Sequence, residues 1–192
     1  MPIVDLPATL VHGIFQRAQK KGSRELALVY LLFGAGVSPA EIANLERVHY
    51  LSDRDAQFLQ ITQGAVRQVP VNQWIMGKRY GSYQKNPLTQ YLKGRKDTVG
   101  ALVLGANQEP IIVAEIQEIW RELTIDLVGL DGQILSIEQA QQTWCVEMLL
   151  RGISLTDMQI LTGLSIEQLA PYGQRAKAKA VLEQGLSLDK PK

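Results

Sequence analysis

Basic and aromatic side chains interleave between positions 78 and 96, and no other stretch of the chain suggests chemistry so directly. Lys78, Arg79 and Lys85 lie near Tyr80, Tyr83 and Tyr91, with Lys93, Arg95 and Lys96 just beyond. Cations spaced through a loop-like region can grip a phosphate backbone, so these residues are candidate DNA contacts, set against a plain solvated loop. Arg17, Lys20, Lys21 and Arg24 form a second basic cluster, and Arg175, Lys177 and Lys179 a third. The third lies on an amphipathic terminal helix, where cations also suit the helix dipole. Metal chemistry finds no support: His12 and His49 are far apart, with no carboxylate or cysteine at ligand spacing. Gly34-Ala35-Gly36-Val37-Ser38 lacks the preceding strand and the lysine of a phosphate loop. No cofactor is expected. Cys145 stands alone, which excludes an internal disulfide and reads as a small buried apolar residue.

The 20 basic and 19 acidic residues give a net charge of +1. Tight nonspecific binding to nucleic acid draws on a basic excess, because neutralised phosphates release counterions. The balance argues mildly against such binding and leaves room for a local basic face. With 192 residues, 46% of them apolar, the chain can build a sizeable core. Met1 to Asp5 has neither the basic start nor the apolar run of a signal peptide. No run approaches the ~20 apolar residues of a spanning helix. The cytoplasm is the expected compartment, with no membrane partner.

These residues must be held by elements that are mostly helical. Leu10, Ile14 and Ala18 share one helical face. Ser23 with Leu26 to Phe33 starts a helix apolar around most of its circumference, hence central. Ser38-Pro39-Ala40-Glu41 has the order of an N-cap, a first-turn proline and a capping glutamate. The period then changes. Phe58 to Thr62 and Val66 to Val71 read as a hairpin turning at Gln63-Gly64-Ala65. Asn72 to Arg79 reads as the start of a helix, Tyr80 to Lys96 as loop or short helix, and Val99 to Leu104 as a strand. Pro110 opens an amphipathic helix through Leu123, Gly129 to Gly132 is a turn, and Ile137 to Leu150 is helical. A last helix spans roughly Gln174 to Glu183. The fold class is therefore mostly α with a small antiparallel β-sheet (α+β), organised as one domain over 1–185 and a polar tail over 186–192.

Between those last helices lies Gly152 to Leu164, which reads as a helix and a tight turn at Gly163, followed by a second helix opening at Ser165. As a helix-turn-helix it would offer DNA only Ser165, Glu167 and Gln168, with no positive charge. The segment instead resembles the "G-x-x-L-x-x-I-Q-x-L-L-G-H" signature of the tyrosine recombinase (phage integrase) catalytic domain. Residues 141 to 164 resemble "RHTFATHLLENGVDLRTIQELLGH", with Thr143, Trp144, Gly152, Leu155, Gln159, Leu161 and Gly163 in register. Leu26 to Leu45 resembles "LLLLLLTGLRISELLAL", and Arg67 to Val71 resembles "R-x-V-P-L". The likeness runs from nearly the first residue to the last, without the N-terminal helical domain that most family members use to clamp DNA.

The resemblance implies a chemistry in which a tyrosine attacks a DNA phosphodiester. Two arginines and a histidine or similar donor stabilise the phosphoryl oxygens, and a hairpin lysine protonates the leaving oxygen. Loss of one such donor typically costs ~10²–10³ in rate. Carried over by position, the set is nearly empty. Ser38 replaces the first arginine, Gln141 the second, Glu138 one histidine and Leu164 the other. No lysine lies between Ile61 and Val69. Tyr172, nine residues after Gly163, is the one candidate nucleophile that survives, set against the plainer reading of an amphipathic packing residue.

The resemblance therefore implies a catalytically inactive integrase-like protein that binds double-stranded DNA or joins a recombination complex without strand cleavage. Arg67, Lys78, Arg79, Lys85, Lys93, Arg95, Lys96, Arg175 and Lys177 are its candidate DNA contacts. The alternative is a protein-interaction or scaffold module, self-associating or holding a protein partner through the C-terminal helix. A minor alternative is a divergent active recombinase using Tyr172.

Overall fold

In the computed structural model, the described residues are 3–53, 56–72, 74 and 85–188. Helix α1 (Ala8–Lys21) packs against α2 (Ser23–Ala35). Helix α2 is buried along nearly its whole length, as an all-round apolar sequence requires. It is flanked also by α4 (Pro87–Lys93) and α6 (Glu138–Leu150). Phe33 at its C-terminal end lies 6.0 Å, centroid to centroid, from Trp120 of α5 (Val113–Thr124).

The capping sequence forms as expected. Ser38 accepts a bond from the Glu41 backbone N–H, and Glu41 Oε2 accepts one from the Ser38 N–H, opening α3 (Pro39–Asn44). The chain then enters an antiparallel sheet of β1 (Tyr50–Ser52), β2 (Gln57–Ile61) and β3 (Arg67–Pro70). Tyr50 faces Leu59, Leu59 faces Val69, and Ile61 faces Arg67. Leu59, Ile61 and Val69 point into the core. Strand β1 was not anticipated: three residues, two of them exposed, are too short to show alternation.

Three expectations need correcting. Val99 to Leu104 is not a strand but irregular chain with isolated bridges, Glu46 to Ala101 and Leu104 to Pro110. Gly100, at φ +93°, breaks the extended run. The Leu102 N–H donates to Leu45 O at 2.7 Å, and that of Leu104 to the Tyr91 hydroxyl at 3.1 Å, so no ladder continues. The two terminal helices expected from Ser165 and Gln174 are one, α8 (Ile166–Ser187), which runs through Pro171 and takes Leu186 and Ser187 out of the expected tail. The amphipathic helix α5 begins at Val113 rather than Pro110. The helix expected over 72–79 lies almost wholly outside the described residues, as does the tail from Asp189 onward.

Helix α7 (Leu155–Thr162) starts at the Ser154 cap and ends at Gly163, left-handed at φ +75°. The N-terminal segment crosses α6: the Val4 N–H donates to Gln142 Oε1 at 2.9 Å and that of Leu6 to Thr143 Oγ1 at 2.8 Å. Asp5, between them, ion-pairs with Arg175 and Lys179 of α8, and Lys179 reaches Glu147 of α6 at 3.1 Å.

Candidate nucleic-acid interface

Four pieces of chain meet where the resemblance locates a catalytic centre. The first is the turn from α2 into α3. Gly36 is left-handed at φ +61°, and a Cβ there would stand 2.2 Å from Trp144 Cε3. Glycine lets the backbone pass directly over the indole of α6. Trp144 Nε1 in turn donates to Gly34 O at 3.1 Å. The second piece is the β2–β3 hairpin, whose Ala65 abuts Gly163, where a Cβ would lie 2.3 Å from Ala65 Cβ. The third is the first turns of α6, and the fourth the α7–α8 turn.

Arg67 ties three of these pieces together. Its guanidinium pairs with Glu41 Oε1 at 2.7 Å, and it donates to Leu161 O at 2.8 Å and Ala65 O at 3.0 Å. The side chain is only 6% exposed. A cation spending its donors on a half-buried carboxylate and two carbonyls has little to offer a phosphate.

Some of the positions carried over from the resemblance have other work. The Ser38 hydroxyl caps α3. Glu138 is exposed at the start of α6. Gln141, half-buried, lies one helical turn before Cys145, which is buried. Leu164 packs against the core, as does Tyr172. Burial, and then the neighbouring Cys145, hold the Tyr172 hydroxyl above its ordinary value, so it stays protonated at neutral pH. Burial pushes the Cys145 thiol up to about 12 against the opposing charge of Arg67, which excludes a thiolate nucleophile there.

The remaining candidate cations separate into spent and free. Arg95 pairs with Asp97, donates to Leu102 O at 2.7 Å and lies 5.5 Å from the Tyr91 ring centroid. Arg175 is held by Asp5. Lys85, Lys93, Lys96 and Lys177 are exposed. Lys78 and Arg79 lie outside the described residues. Sequence reasoning missed Asp5, Arg47 and the pairing of Glu41 with Arg67, which depend on partners distant in the chain. Among the described residues no group of His, Cys, Asp and Glu could hold a metal ion, and no helix is long and apolar enough to cross a membrane.

The surface beside Glu138 is apolar and acidic. Between α5 and α6 the chain turns back with Val128 bridged to Ile134, leaving Leu130 82% and Ile134 80% exposed, with Ile125 and Val128 also in solvent. Asp126 and Asp131 are exposed in the same connection.

This architecture is the tyrosine recombinase catalytic-domain fold, mostly helical around a small antiparallel sheet. The particular structures it resembles are the XerA recombinase, the XerH site-specific recombinase bound to its palindromic difH substrate, and the Tn1549 transposon integrase in complex with transposon right-end DNA. XerA superposes with a TM-score of 0.74 at 17% identity, covering 100% of this chain and 67% of XerA. XerH gives 0.72 at 13% identity over 97% of this chain and 53% of its own. The integrase gives 0.65 at 17% identity over 95% and 67%. The sequence matches no protein-family model and no curated protein.

Proposed function

We propose that this chain is a recombinase-fold domain that binds duplex DNA and does not cut it. One observation carries the reading: the positions that would surround a scissile phosphate are Ser38, Glu138, Gln141 and Leu164, and the nearby Arg67 is bound to Glu41. The likeness to recombinases solved on DNA supports duplex as the ligand, and Lys85, Lys93, Lys96 and Lys177 are the exposed cations that would meet its backbone. Binding of this kind weakens steeply with salt. A gel shift of duplex at ~50 mM salt that fades as salt rises is expected. On a nicked suicide duplex, no covalent protein–DNA adduct forms with the parent or with Tyr172→Phe. No shift with any duplex sinks DNA binding. An adduct present in the parent and lost in Tyr172→Phe sinks the claim of inactivity.

A second reading is favoured by one specific feature. Val181, Leu182 and Leu186 stand exposed on α8 at i, i+1 and i+5, an apolar stripe uncovered by the other described residues. It suits self-association or a protein partner through the C-terminal helix. Sedimentation of the parent as an oligomer, with Val181→Ser/Leu182→Ser/Leu186→Ser sedimenting as a monomer, is the pattern it requires. A parent monomeric at every concentration would remove the self-associating form.

A further inference from the structure

Between β1 and α4 lies an open cleft of about 630 Å³, lined by Arg47, Tyr50, Ser52, Asp53, Thr89 and Lys93. Arg47 also lines a second hollow on its other side, with Thr98 and Gly100. Its side chain is 18% exposed, and its Nη1 is shielded from solvent without a hydrogen-bond acceptor. The nearest carboxylate oxygen, Asp97 Oδ1, is 3.8 Å away, beyond hydrogen-bond reach, and both Asp97 oxygens already accept from Arg95. A guanidinium with a buried, unanswered N–H is an incomplete pair. Lys93, the last residue of α4, is exposed and lines the same cleft.

The other polar groups define what can enter. The Tyr50 hydroxyl donates to Gln57 Oε1 at 2.7 Å and lies 3.0 Å from Thr89 Oγ1, so the wall it forms is fixed by its own bonds. Ser52 is exposed on the β1 edge and its hydroxyl can donate. Asp53 at the rim and Glu46 beside the second hollow are the opposing carboxylates, and the Asp53 side chain accepts from the Ala56 N–H. A doubly charged oxyanion with several acceptor oxygens meets all of these conditions. It would lie against the part of Arg47 that lines the cleft and draw Lys93 inward as a mobile point charge.

We propose that the Arg47–Lys93 cleft is a phosphate-binding site, separate from the pieces of chain that Arg67 ties together. The phosphate can come from a DNA backbone or from a free phosphate or monoester, and the cleft has room for either. The site goes beyond the DNA reading and does not need it to hold.

The test compares thermal unfolding in sodium phosphate and sodium chloride at matched ionic strength, followed by the same duplex gel shift. Phosphate should raise the midpoint of the parent above that in chloride. Lys93→Gln, an exposed change without structural partners, should weaken phosphate binding roughly tenfold, and Arg47→Gln should abolish it. Equal midpoints in the two salts, or phosphate binding as strong in both variants as in the parent, overturns the site. If duplex affinity falls in step with phosphate binding in both variants, the site takes a backbone phosphate. If phosphate binding is lost and duplex affinity is unchanged, it takes a free one. Phosphate binding with no duplex binding by any version sinks the DNA reading and leaves the site standing.

Discussion

Gly36→Ala should lower the unfolding free energy by about 2–5 kcal/mol, measured by urea denaturation. Two costs add. A non-glycine residue in the left-handed region pays about 1–2 kcal/mol. Overpacking a filled core costs about 1–3 kcal/mol more. The second applies because the new methyl would fall 2.2 Å from Cε3 and 2.5 Å from Cδ2 of Trp144, a fully buried ring that itself bonds to Gly34. Neither the α2–α3 turn nor α6 can retreat without opening the core. Gly64→Ala is the control. Gly64 has nearly the same backbone, φ +70°, with nothing within 4 Å of the added carbon. It should lose only the conformational part, about 1 kcal/mol. Equal losses at the two sites would show that the contact with Trp144 costs nothing and that the turn does not rest on the indole.

Arg67→Met should cost about 3 kcal/mol, the scale for removing one member of a buried ion pair. Methionine keeps most of the aliphatic length and loses the guanidinium. The Glu41 carboxylate then lacks its counter-charge, and Leu161 O and Ala65 O lose a donor. Glu41→Gln is the companion. Its amide oxygen can still accept from the Ser38 N–H, so the cap survives. The double variant Arg67→Met/Glu41→Gln should be more stable than the sum of the single losses predicts, because the second change removes the stranded charge. Strict additivity would mean that the pair contributes nothing as a pair. Since Arg67 bridges the hairpin, α3 and the end of α7, the variant should also loosen the hairpin, read as faster amide exchange at Val69 and Ile61.

Much of the fold was legible because its signals are local. The helix from Ser23 is apolar on every side and proved central. Ser38, Pro39 and Glu41 spell a cap within four residues, and the cap formed. The hairpin showed itself through β-rich runs around Gln63-Gly64-Ala65. Strand β1 was too short to carry a pattern, and Val99 to Leu104 looked like a strand because an apolar run does not reveal where its N–H groups go. The helices read from Ser165 and from Gln174 proved to be one, α8, which runs through Pro171.

The site was legible in a different sense. Register against a known family singled out Ser38, Glu138, Gln141, Leu164 and Tyr172, and the structure makes Ser38 a cap and packs Leu164 and Tyr172 against the core. What the sequence could not reveal was the fate of each cation. Arg67 and Arg175 look like any exposed arginine until Glu41 and Asp5 are brought to them through the fold. Arg47 is the opposite case, an unremarked residue whose significance comes from a carboxylate already taken by Arg95.

The Asp5 bridge has a consequence for the order of events during synthesis. Asp5 and Arg175 are separated by 170 positions. At about 5–20 residues per second, a ribosome needs on the order of 10–30 s between them. Through that interval the segment Ile3–Leu6 can meet α6 only after residue 150 has emerged, and α8 later still. Its early residues are therefore among the last to settle, held in reserve until the chain comes round to them. Contacts of such span slow the search for the native arrangement, so nascent α1 and α2 must be kept from aggregating while their closing strap waits.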